Sequence, residues 1–104
     1  MRTRLLLLPA ALACLARAVP AQQIRVGTAT AARGQVGYGA LTVPAGADSG
    51  TSIPVAVVNG SHRGPVLALV AGSHGTEYAS IVALSRLIGQ LDPRALSGTV
   101  LVLP

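Results

Sequence analysis

Six apolar residues stand in a row after Pro65: Val66-Leu67-Ala68-Leu69-Val70-Ala71. They do not alternate with polar residues, so a strand made from them has no wet face. Such a run reads as a strand buried on both sides, as in a parallel sheet flanked by helices. Gly72 ends it, and from about Thr76 the apolar period changes. Ile81, Leu84, Ile88 and Leu91 recur at steps of three and four, with Tyr78 and Leu87 flanking, which is the spacing of one helix face. Thr76 is placed to cap this helix. Asp92-Pro93 is placed to end it, because proline disfavours helical backbone in its predecessor. Leu96-Ser97-Gly98 then reads as a turn, and residues 99–103 as a second buried strand. Strand, helix, strand over about 40 residues is a βαβ unit.

Upstream, residues 36–43 have strand composition, though Gly37 and Gly39 weaken it. Residues 44–51 (Pro-Ala-Gly-Ala-Asp-Ser-Gly-Thr) form a turn cluster. Residues 52–58 are a second strand rich in β-branched side chains, and Asn59-Gly60 signals another turn. Residues 22–34 are small and polar apart from Ile24 and Val26, and read as a flexible lead-in. The expected fold is α/β: a lead-in at 22–34, a small antiparallel β unit at 35–63, and the start of an α/β domain at 64–104. The chain stops at Pro104, directly after a core strand, and a lone βαβ unit cannot cover both faces of its sheet. The expectation is therefore an incomplete domain of a longer protein; a natural small domain is the competing reading.

Residues 1–21 read as a secretory signal peptide. Arg2 and Arg4 give a positive start, residues 5–15 are almost wholly apolar, and Val19-Pro20-Ala21 offers a cleavage site after Ala21. The apolar run is shorter than the roughly 20 residues a membrane span needs. The expected location is secreted or periplasmic, with no membrane attachment after cleavage. Cys14, in a loosely lipobox-like Ala11-Leu12-Ala13-Cys14, is the alternative, as a lipidation site. It is the one cysteine, so intramolecular disulfides and a cysteine-ligated metal site in the mature part are excluded. All 8 basic residues are arginine. Without the leader, five arginines face Asp48, Glu77 and Asp92, a net charge of +2. With two aromatics, Tyr38 and Tyr78, and no basic stripe interleaved with them, nucleic-acid binding is not expected.

The residues that carry chemistry lie where the first buried strand turns into the helix. His74 and Glu77 follow it in Gly72-Ser73-His74-Gly75-Thr76-Glu77. Ligands of open α/β sheets bind outside the carboxyl ends of the strands. Imidazole nitrogen and carboxylate oxygen both ligate Zn²⁺, and a three-residue step across a strand-to-helix corner can aim both at one point. Glycines on either side of the histidine permit unusual backbone angles. A solvated pair at a helix start is the bland alternative, since Glu77 also suits the helix dipole. His62, in the polar loop 59–64, reads as a solvated histidine, with a metal or substrate role as the alternative; Arg63 and Arg86 read as solvated surface cations, with help in binding an anionic substrate as the alternative. Asn59-Gly60-Ser61 matches a glycosylation acceptor as well as a turn. Ser73 is not a nucleophile elbow, because Ala71 occupies the place of its first glycine. Asp48 and Asp92 read as turn-shaping residues.

The stretch 64–78, Gly-Pro-Val-Leu-Ala-Leu-Val-Ala-Gly-Ser-His-Gly-Thr-Glu-Tyr, resembles the opening of the succinylglutamate desuccinylase/aspartoacylase family. The helix reaching Leu91-Asp92-Pro93 and the strand 96–104 resemble its continuation. That family belongs with the zinc carboxypeptidases and hydrolyses amide bonds, often freeing an amino group from an N-acyl amino acid. The resemblance implies a zinc-carboxypeptidase-like sheet, Zn²⁺ as cofactor and a small-molecule amide as substrate. His74 and Glu77 would be the first two zinc ligands. The family takes its third ligand, its general-base glutamate and its substrate-binding arginine from further along, so the resemblance implies no catalytic residue within these 104 residues and an inert chain in isolation. A binding or structural α/β module without metal chemistry is the competing expectation; a serine hydrolase is a distant third.

Overall fold

The computed structural model describes residues 22–104; the leader at 1–21, with Cys14, lies outside the described residues. Seven elements follow in order: β1 (Ile24–Val26), β2 (Ala29–Ala31), β3 (Gln35–Val43), β4 (Thr51–Asn59), β5 (His62–Val70), α1 (Tyr78–Ile88) and β6 (Ser97–Leu103). β1 and β2 form a two-stranded sheet, and the other strands form a four-stranded sheet in the order β3-β4-β6-β5. The described chain is thus α/β, mostly strand, with one helix.

The strand-like stretch 36–43 and the β-branched run 52–58 make the β3–β4 hairpin, paired from Gln35 with Asn59 to Val43 with Thr51. β6 runs parallel to β5 and antiparallel to β4. The hairpin and the βαβ unit are therefore one sheet rather than neighbouring units. Asn59-Gly60 does not close a hairpin, because β6 lies between β4 and β5. Backbone bonds hold the turn instead: Gly60 N–H donates to Gly98 O at 2.8 Å and Ser61 N–H to Pro93 O at 2.8 Å.

The core sits on β4 and β6. Val55 and Val57 of β4 point to one face, with Ala29 and Ala31 of β2 over them. Ala56 and Val58 point to the other, beside Val100 and Val102 of β6. Leu84 and Ile88 of α1, with Leu91 and Leu96, pack on this second group.

Three sequence expectations need correction. The first concerns β5. It was expected to be buried on both faces, yet Val66, Leu67 and Val70 are 63%, 54% and 63% exposed. The crossover places β6 inside and leaves β5 at the sheet edge, so β4 is the strand enclosed from both sides. Both runs are apolar, and sequence alone does not tell which one the topology puts in the middle.

The second concerns residues 22–34. They are not a flexible lead-in: β1 and β2 pair from Ile24 with Ala31 to Val26 with Ala29, and Ala29 and Ala31 are buried. Gly37 and Gly39 explain how the hairpin gets so close. A Cβ on Gly37 would collide with the Thr30 carbonyl, and one on Gly39 with the Ala29 backbone nitrogen. The glycines that weaken β3 as a strand are what admit β2 onto it. Asn59 completes the attachment. It is 4% exposed, and its Nδ2 donates to Gln22 O at 3.0 Å and Ala31 O at 3.1 Å, while Thr99 Oγ1 donates to its Oδ1 at 3.4 Å. An amide so enclosed is not a glycan acceptor.

The third concerns the helix ends. Glu77, not Thr76, holds the N-cap position of α1 without making a side-chain cap bond, and the helix ends at Gly89 rather than at Asp92-Pro93. Gln90 and Leu91 N–H groups both donate to Leu87 O, at 2.9 and 3.1 Å, closing the last turn. Asp92 shapes the following turn, its Oδ1 accepting from Arg94 N–H at 2.9 Å.

Candidate metal centre

β5 and β6 run parallel with Val70 beside Leu103, so their carboxyl ends share one edge of the sheet. Ala71 N–H donates to Leu103 O at 2.9 Å and carries the ladder one residue further. Gly72 then turns the chain at φ +70°, a conformation that strains any residue with a Cβ. Across the loop, Glu77 N–H donates to His74 O at 3.1 Å. This tight turn sets two side chains three residues apart on the same side.

They meet. His74 Nδ1 lies 3.0 Å from Glu77 Oε1, with the two side chains 79% and 54% exposed. Glu77 directs its carboxylate to His74 instead of capping the helix that begins beside it. Ser80 Oγ donates to Glu77 O at 2.9 Å and steadies the corner.

The two groups are of zinc-ligand type, and in this structure they hydrogen-bond to each other directly. Nitrogen and oxygen ligands at about 2.0–2.1 Å in tetrahedral array stand about 3.3 Å apart. The observed 3.0 Å is within a small side-chain motion of that. Among the described residues, no third His, Cys, Asp or Glu joins the pair. Ser73 shares the exposed loop.

The other sequence-flagged residues lie elsewhere. Arg86 is exposed in the last turn of α1, where a cation suits the helix dipole. His62 and Arg63 are exposed at the opposite end of β5. There they line an open cavity of about 380 Å³ together with Arg33, a residue the sequence gave no reason to single out. Arg33 is some thirty residues away along the chain, and only the fold of the β1–β2 segment over the sheet brings it there. No family model matches this chain, and no curated protein or solved structure matches it.

Proposed function

We propose that His74 and Glu77 are two ligands of a Zn²⁺ ion in an exported hydrolase of the succinylglutamate desuccinylase/aspartoacylase type, and that its substrate is a small amide such as an N-acyl amino acid. The observation that carries this reading is the 3.0 Å approach of His74 Nδ1 to Glu77 Oε1 at the carboxyl edge of the parallel strand pair. A buried core on β4 and β6 holds that edge in place, while the loop between β5 and α1 remains open to a ligand.

Each residue then has a defined task. The turn closed by Glu77 N–H and His74 O fixes the spacing of the two donors. Gly72 lets the loop leave the strand sharply. Zinc, when bound, supplies Lewis acidity toward the acyl carbonyl and toward a bound water. Two protein ligands are fewer than the three of a catalytic zinc site. The remaining ligand and the general base therefore come, in this reading, from beyond residue 104, and the 104-residue chain alone is inactive.

The second reading is a binding or structural α/β module. In that reading His74 and Glu77 are a solvated ion pair at a helix start. Assay of the protein from its whole reading frame against a panel of N-acyl amino acids separates the two. The hydrolase reading expects release of a free amino group, lost with a chelator and restored by Zn²⁺. An inert protein that takes up no zinc supports the module.

A further inference from the structure

The cavity at the opposite end of β5 holds two arginines without counter-ions. Arg33, Arg63 and His62 line it beside Asn59, Thr99 and Gln22, and no acidic side chain does. Arg33 is partly buried. Its Nη1 donates to Ser61 O at 3.3 Å and its Nη2 to Gln22 Oε1, both neutral acceptors. Among the described residues the one ion pair is His74–Glu77, so neither Arg33 nor Arg63 has a carboxylate within salt-bridge distance.

This arrangement differs from a solvated surface arginine. Two bonds hold the Arg33 guanidinium in one orientation, which leaves three of its five N–H donors for another partner. A fixed planar fork loses little freedom on binding and matches the paired oxygens of a carboxylate or phosphate. Both acceptors of the partly buried Arg33 are neutral, so its charge has no counter-ion, which an anion would supply. The volume, about 380 Å³, lies within the range of small-molecule sites.

We propose that this cavity binds a small oxyanion, a carboxylate or a phosphate, with Arg33 and Arg63 as its charged ligands. The site is separate from His74 and Glu77 by the length of β5, nine residues at about 3.3 Å each. It does not depend on the zinc reading.

The test is titration of the full chain with inorganic phosphate and, separately, with acetate at constant ionic strength, followed by amide NMR. Saturable shifts confined to the residues around Arg33, His62, Arg63 and Thr99 are expected with at least one anion; the arm that saturates names the ligand chemistry. Arg33→Gln and Arg63→Gln should each weaken binding about tenfold or more, the loss of one charge-assisted contact. Arg94→Gln, outside the cavity, should leave it unchanged. Arg63 is exposed, so its variant keeps the fold if Arg33→Gln does not. Linear, non-saturating shifts at every arginine, or affinity unaltered in Arg63→Gln, would overturn the proposal.

Discussion

His74 Nδ1 and Glu77 Oε1 stand 3.0 Å apart just beyond the last residues of β5, and both side chains face solvent. An exposed pair of this kind contributes about 0–1 kcal/mol to folding. His74→Ala and Glu77→Gln should therefore change stability by no more than about 0.5 kcal/mol in urea unfolding. A loss of several kcal/mol would show that the pair serves the fold and not a ligand.

Stability resides in β4 and β6. Val57 and Val102 are fully buried, on opposite faces of the sheet. Val57→Ala and Val102→Ala should each cost about 1.5–3 kcal/mol, from lost burial and the cavity left behind. Val82→Ala, on the exposed side of α1, should cost under about 0.5 kcal/mol. Equal effects at all three sites would contradict the placement of the core.

Asn59 joins the β1–β2 segment to the sheet through Gln22 O and Ala31 O. Replacing it with alanine removes a donor from the buried Ala31 carbonyl, at about 1–3 kcal/mol. Hydrogen exchange should accelerate first at Ala29 and Ala31, ahead of β4 and β6. Gly37→Val should loosen the same segment by collision with the Thr30 carbonyl. Unchanged protection at Ala29 and Ala31 in both variants would argue that the hairpin is held by something else.

The exposed apolar edge strand has a consequence in solution. Val66 and Val70 share one face of β5, and Leu67 is open on the other. Long apolar edges template further strand pairing. The chain should self-associate as concentration rises in analytical ultracentrifugation, and Val70→Lys should reduce this. Identical sedimentation of the two proteins would sink the idea.

The strands and the helix are legible because their composition is strong: a β-branched run at 52–58, a continuous apolar run at 66–71, and an apolar period of three and four from Ile81 to Leu91. β1 and β2 were not, since three residues each are too few to show a period. Sheet order was hidden for another reason. Val55–Val58 and Val66–Val70 are both apolar, and the crossover decides which becomes the enclosed strand. The position of the candidate metal pair is legible from the apolar run that ends at Ala71 and the helical period that follows it. The N-cap position is not, because the turn that places Glu77 there and aims its carboxylate at His74 is not written in the residue types. Of the cavity, His62 and Arg63 stand out in a polar loop of the sequence, but nothing local marks Arg33 as their neighbour.

The central claim is that one cation touches both His74 and Glu77. The direct measurement is a Zn²⁺ titration of the chain with ¹⁵N-labelled histidine, reading each ring nitrogen. The account predicts a saturable shift of His74 Nδ1, little change at His62, and loss of the His74 response in Glu77→Ala. Equal responses at the two histidines, or an unaltered His74 response in Glu77→Ala, would contradict it.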